Sequence, residues 1–340
     1  MAKRIGNYTI KMENSPQVVS FASVCGKKES EGPIGEKFDM VFDDTTLGED
    51  TWEKAESQLQ AECVNIALEK SKLNKSEIDF IFAGDLLNQC ISSTFGLREL
   101  NIPFLGQFGA CSTMAQTLAL ASIMVEAKIA RHCIAVTSSH FCSAERQFRF
   151  PLEYGGQRTP SAQWTVTGAG AIILGEGNNK NSRPVIDSVT IGRIIDFGIK
   201  DTNNMGAAMA PAAASTISDF FKDTESSPSD YDLILTGDLG EVGSRLLCEL
   251  LEKENIDISK VHSDCGLLIY DQKEQDVHAG GSGCGCSASV LCSIILDKLK
   301  EKTLNNILFI ATGALMSPTS SQQGESIPSI AHLVNIKNNL

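Results

Sequence analysis

A cysteine sits where a loop turns into an apolar helix, in Gly109-Ala110-Cys111-Ser112-Thr113-Met114. Free N–H groups and the helix dipole at such a turn favour a thiolate, so Cys111 is placed to act as a nucleophile. It reads equally as an inert core residue, since free cysteine is often buried and unreactive. Thiol chemistry also needs a proton acceptor and a group to hold developing negative charge. Two histidines stand near such turns. His140 follows the β-branched run 132–139, at a strand C-terminus where α/β sites gather. His278 precedes the glycine-rich Ala279-Gly280-Gly281-Ser282-Gly283-Cys284-Gly285. Each also reads as a hydrogen-bonded loop histidine. Arg146, Arg149 and Arg158 lie among Phe148, Phe150, Tyr154 and Trp164. A guanidinium fork beside a ring suits a flat carboxylate ligand, and it equally suits pairing with Glu145 and Glu153.

The elements that carry these groups follow from periodicity. Residues 18–24 form a strand, and 49–72 a helix with Trp52, Ala55, Leu59, Cys63 and Ile66 near one face. Residues 76–86 read as a strand, 89–100 as a turn and helix, 132–139 and 168–175 as strands. The run from Thr113 to Val125 is apolar all round apart from one Gln, which marks a helix buried in a large core. It is shorter than the roughly 20 residues that cross a bilayer. Residues 141–163 read as a long polar and aromatic loop, and 177–183 as a link.

The pattern then begins again. Ser76-Glu77-Ile78-Asp79-Phe80-Ile81-Phe82-Ala83-Gly84-Asp85-Leu86 resembles Ser229-Asp230-Tyr231-Asp232-Leu233-Ile234-Leu235-Thr236-Gly237-Asp238-Leu239. Gly109-Ala110-Cys111-Ser112 corresponds to Gly285-Cys286-Ser287-Ala288, each before a buried helix and a strand. The chain reads as two similar halves, 1–180 and 181–340, facing each other across a pseudo-twofold axis. Both glycine-rich turns then meet at one shared site.

Bulk properties exclude several classes. The 340 residues carry a formal net charge of −13, and the pI is about 4.9, which argues against a nucleic-acid partner. Eleven cysteines fall in apolar strand and helix patterns without a disulfide framework. The first 17 residues lack the apolar core of a signal peptide. A reducing compartment is the expectation. No paired CxxC motifs suggest zinc, and no acidic loop has EF-hand spacing, so neither a metal site nor a cofactor is expected.

The duplicated α/β pattern with a cysteine at the first buried helix resembles the thiolase-like fold of thiolases and ketoacyl synthases. Gly168-Ala169-Gly170-Ala171 is similar to a strand of the initiating condensing enzymes. Gln147-Phe148-Arg149-Phe150-Pro151-Leu152-Glu153-Tyr154-Gly155-Gly156-Gln157-Arg158-Thr159-Pro160 and Ala279–Ala288 resemble the stage V sporulation protein AD family of spore-forming bacteria. The resemblance covers nearly the whole chain. It implies a layered α-β-α-β-α fold with two buried central helices. It also implies a protein that binds dipicolinic acid, with or without calcium as its chelate, and works with membrane proteins of the same operon at the forespore membrane. A homodimer is implied as well.

Against the enzymes' pattern, the loop where thiolases carry Gly-His-Pro reads Gly281-Ser282-Gly283, and the last strand turn Ala311-Thr312-Gly313-Ala314 holds neither Cys nor Asn. Thr167 stands where the family has Asp. The resemblance therefore implies a binding protein on an enzyme scaffold, and an acyl-CoA condensing or thiolytic enzyme using Cys111 is the alternative. Two carboxylates would be held at the two helix N-termini by Cys111, Ser112, Ser282, Gly283, Cys284 and Gly313, with His140 at the wall and Arg146, Arg149 or Arg158 supplying charge.

Overall fold

The computed structural model describes residues 2–148, 158–177 and 183–338. Ten strands carry the frame. They are β1 (Gln17–Gly26), β2 (Phe80–Gly84), β3 (Phe104–Gln107), β4 (His132–Ser139), β5 (Gly168–Gly175), β6 (Pro184–Thr190), β7 (Leu233–Thr236), β8 (His262–Asp264), β9 (Asn306–Ala314) and β10 (Ser329–Asn338). Their order in the sheet is β8-β7-β9-β10-β6-β1-β5-β4-β2-β3. Read outward from the central β6–β1 contact, each half repeats the other. β1–β5 and β6–β10 are antiparallel, as are β5–β4 and β10–β9, while the outer two pairings on each side are parallel. Even the register shift recurs, at Val18/Ser20 in β1 and Ile186/Ser188 in β6.

The repeat read from the sequence has a physical job. Asp79 accepts from the backbone N–H groups of Arg131 and His132, and Asp232 accepts from those of Asn305 and Asn306. In each half one carboxylate clamps the start of the neighbouring strand. The 76–79 part of each repeat is not strand: Lys75–Glu77 and Pro228–Asp230 are single 3-10 turns closed by capping boxes, because Asn74/Glu77 and Ser227/Asp230 hydrogen-bond their own backbone.

Helices α1 (Trp52–Ser71) and α2 (Ile91–Leu97) cover one outer face. α3 (Thr113–Glu126) and α4 (Phe141–Phe148) follow. α5 (Met205–Thr224) and α6 (Gly240–Glu252) cover the opposite face. α7 begins at Cys284–Val290 and runs on through a π turn, Leu291–Ile295, to Leu296–Lys300. α1 packs on β1 and β5, α5 on β9 and β10, and α3 with α7 lies between the two halves of the sheet. This is the α-β-α-β-α layering of the thiolase-like fold.

α3 tolerates its deep burial because its polar groups are satisfied internally. Met114, Ala115, Leu118, Ala119 and Ala121 are wholly buried. The hydroxyls of Thr117 and Ser122 donate to the carbonyls of Met114 and Leu118. Glu126 closes the helix by accepting from Glu13 and Asn14. α4 departs from the loop expected over 141–163: Ser143, Ala144 and Glu145 turn inward, and the chain pays for this enclosure with a half-polar surface that reads as loop. No helix among the described residues is long and apolar enough to cross a membrane.

Candidate functional site

The two central helices start near one another, and a cavity of about 340 Å³ opens between their turns. Cys111, Ala110, Leu86, Phe108, Ala144 and Phe148 line one side; Ser282, Met205, Met209 and Ala314–Ser317 line the other. Glu145 and Thr165 complete the wall. Thr165 and Ser282 are register partners in a two-residue parallel ladder, Trp164–Thr165 with Gly281–Ser282, which ties the two halves together at the site.

Close backbone approach builds this place. Gly313 of β9 lies so near the cysteine turn that a Cβ there would stand 2.4 Å from the Gly109 carbonyl oxygen. Gly283 has φ +109° and precedes α7, a conformation glycine adopts freely. Ala110, just before the cysteine, holds a left-handed φ of +51°, which points to a constrained turn. Cys111 itself is half-buried at the head of the cavity.

The surroundings of the thiol disfavour its thiolate. Burial pushes the thiol well above its ordinary value, and the neighbouring Asp238 carboxyl pushes it further. These outweigh the helix-dipole effect expected for Cys111, because desolvation of a thiolate costs more than a few partial charges return. Asp238 is wholly buried. Its Oδ2 accepts from Gly283 N at 2.8 Å and faces Ser282 Oγ at 3.3 Å; its Oδ1 accepts from Thr312 Oγ1 at 3.2 Å. Burial raises its pKa to about 7, against the hydrogen bonds from Cys111, Gly283 and Thr312 that favour the charge. The seat expected for a ligand carboxylate between the two turns is thus partly filled by a carboxyl of the chain itself.

Half-to-half comparison explains how Asp238 came free. Its counterpart Asp85 caps the start of the next segment, accepting from Leu87 N, Ser93 N and Ser93 Oγ. In the second half that duty falls to Asp264, which accepts from Leu239 N, Gly240 N and Thr236 Oγ1. Asp238 was legible as a member of the repeat, but its pairing with Cys111 was not.

The structure brings Cys111, Ser282, Gly283 and Gly313 together. Ser112 and Cys284 belong to the turns but point into protein: Ser112 Oγ donates to Gly109 O at 2.6 Å, and Cys284 Sγ to Ser138 O at 3.1 Å. α7 begins at Cys284, so Cys286 lies inside the helix, fully buried, and not at its mouth. His140 does not reach the cavity wall. Its Nε2 donates to Thr45 O at 2.6 Å, its Nδ1 accepts from Cys142 N, and burial lowers its pKa. His278 faces Asp276 at 3.5 Å.

The arginines go elsewhere. Arg146 pairs with Glu53 and lies over the Trp52 ring, against α1. Arg158 pairs with Glu145 at 3.2 Å, donates to Gln163 O, and flanks the stacked rings of Phe141 and Trp164. Its charge is therefore already balanced by Glu145 beside the cavity. Arg149, with Phe150 and Tyr154, lies outside the described residues. Among the described residues lining the cavity none is cationic.

Solved structures of similar architecture include AbyA1, a tetronic acid condensing enzyme, with a TM-score of 0.58 at 16% identity, covering 94% of this chain and 99% of that one. A variant of OleA from Xanthomonas campestris superposes with a TM-score of 0.60 at 14% identity, covering 96% of this chain and 97% of that one. The 3-oxoacyl-[acyl-carrier-protein] synthase III of Aquifex aeolicus gives 0.54 at 11% identity, covering 95% and 99%. At those identities the likeness speaks for the fold. Sequence likeness reaches further. Stage V sporulation protein AD of Bacillus subtilis is 48% identical over 330 residues, 97% of this chain and 96% of that protein. The Stage V sporulation protein AD (SpoVAD) family pattern matches residues 6–337, so this thiolase-like frame with a cysteine at its central cavity is that of a sporulation protein: the chain belongs to the stage V sporulation protein AD family.

Proposed function

We propose that this chain is a non-catalytic, dipicolinate-binding protein of sporulation that takes its ligand in the Cys111 cavity. In this reading it hands dipicolinate, free or as the calcium chelate, to membrane proteins of the same operon for loading into the forespore. The observation that carries the non-catalytic part is the placement of Cys111 beside the buried Asp238 carboxyl, which with burial disfavours the thiolate, and with no imidazole lining the cavity among the described residues. A thiol that stays protonated is a poor acyl acceptor. The ligand's identity rests on the family. Its aromatic ring suits the Phe108, Phe148 and Met walls, and two hydroxyls stand at the wall, Ser282 and Thr165, which in this structure donate to Asp238 and Glu145. Calorimetry with dipicolinate tests the reading: heat with one site per chain supports it, and none at millimolar ligand refutes it.

One observation favours a second reading. Cys111 opens on a mostly apolar cavity and hydrogen-bonds Asp238, whose pKa of about 7 suits a proton acceptor. An acyl-transfer enzyme would then carry a covalent adduct on Cys111 after treatment with acetyl-CoA or malonyl-CoA, visible as a mass increase absent from Cys111→Ala.

A homodimer belongs to the same proposal. The sheet ends at β3, and Phe104, Leu105 and Phe108 are exposed there beside Phe95 and Ile91 of α2. The matching edge at the other end, β8, is His262-Ser263-Asp264. An apolar open edge is the one that pairs with another chain, and a twofold axis lets this edge meet its own copy.

A further inference from the structure

We infer that Asp238 governs ligand entry by its proton: the cavity accepts an anion only when Asp238 is neutral, so binding of a carboxylate ligand takes up one proton. This rests on the dipicolinate reading above and adds the control of that site. Asp238 does not line the cavity; Cys111 and Ser282 stand between it and the ligand space, and both direct their hydrogens at it. An ionised Asp238 therefore has two effects. It places a negative charge immediately behind the cavity head. It also draws the Cys111 S–H and Ser282 O–H inward, leaving their lone pairs to face an incoming carboxylate. A neutral Asp238 removes the charge and weakens its hold on both hydrogens, which can then turn outward as donors. Asp238 is a positioning residue in this scheme, acting through its two neighbours.

Of the two buried carboxyls here, burial raises Asp264 to about 6 and Asp238 to about 7, so Asp238 is the one that loses its proton across the middle of pH 6–8. From the strand side Thr312 of β9 donates to it, and Asp264 of β8 repels it. From α7 come Gly283 N, which donates, and the thiols of Cys284 and Cys286, both held protonated by burial. Cys265 beside them is raised likewise. On the far wall Glu145 is held by Arg158. No cation among these groups compensates an ionised Asp238. Its folded pKa of about 7 puts the switch in the cell's range.

Dipicolinate is a dianion throughout pH 6–8, so a pH effect there belongs to the protein. If only the protonated site binds, apparent affinity scales with the protonated fraction. That fraction falls from about nine-tenths at pH 6 to about one-tenth at pH 8. Calorimetry of the full chain with dipicolinate should show roughly tenfold weaker binding at pH 8 than at pH 6. Runs at pH 8 in two buffers of different ionisation enthalpy should show close to one proton taken up per ligand. Asp238→Asn can keep Gly283 N on its oxygen and donate to Thr312, and it should bind with equal affinity at both pH values. Affinity that stays level in wild type, with no proton uptake, overturns the proposal while leaving the dipicolinate reading intact. An Asn variant that keeps the tenfold fall also overturns it. Absence of heat at every pH removes both. Should the variant fail to fold, the two-buffer measurement on wild type decides alone.

Discussion

Replacing Gly283 should test how the cavity is built. Its φ of +109° lies where only glycine sits without strain, and any side chain there costs about 1–3 kcal/mol. A Cβ would also stand 2.8 Å from Ser139 Oγ. That hydroxyl cannot move aside cheaply, because it donates to Val166 O at 2.6 Å, and losing such a bond costs about 1 kcal/mol. The sum for Gly283→Ala is about 2–4 kcal/mol, with Gly283→Val at the upper end or beyond. The backbone shift would also pull Gly283 N from Asp238, so ligand affinity should fall tenfold or more. Gly198 supplies the control: φ is +77° with open space where a Cβ would be, so Gly198→Ala carries conformational strain alone, about 1 kcal/mol. Denaturant unfolding of the three proteins, with calorimetry of each, makes the comparison. If Gly283→Ala costs no more than Gly198→Ala and binds normally, the close approach at Ser139 does not shape the site.

Cys111→Ala should weaken dipicolinate binding by no more than about tenfold, since it removes one weak S–H donor while Ser282 keeps its own, and should leave stability within about 1 kcal/mol; complete loss of binding would show that the sulfur alone holds the ligand. Buried Glu56, bonded to Ser138 and Ser143, has its pKa raised by burial to about 8, with Asp85 adding to the rise. Its folded value exceeds its unfolded one, so its contribution is full at low pH and disappears as pH rises toward 8. Unfolding free energy should therefore fall by about 1.4 kcal/mol per pH unit between pH 6.5 and 7.5 from this group, and Glu56→Gln should remove that slope. A wild-type curve that rises over that interval contradicts the assignment. Leu105→Lys at the open sheet edge should convert the proposed dimer to a monomer in sedimentation at micromolar concentration while the far-UV signal of the fold is kept; an unchanged sedimentation coefficient, or a monomeric wild type, would refute pairing through this edge.

Much of the architecture was readable along the chain because it is local or repeated. The mostly apolar run after Cys111 announces a buried helix, since water would otherwise meet apolar groups on every face. The Ser76 and Ser229 repeats announce duplication, since like segments make like clamps at Asp79 and Asp232. Positions needing glycine at the turns, Gly283 above all, were visible as residue types. What the chain order could not decide was which way side chains turn once two distant segments meet. Arg146 is drawn to Glu53, 93 residues away, and His140 to the carbonyl of Thr45, 95 residues away. Partners so far off in sequence exist only after folding. The state of Cys111 depends likewise on Asp238, which belongs to the other half and arrives through the pseudo-twofold packing. A helix N-terminus and a cysteine are local facts that favour a thiolate. Burial and a carboxyl brought from 127 positions along the chain are tertiary facts, and in a low-dielectric interior they prevail.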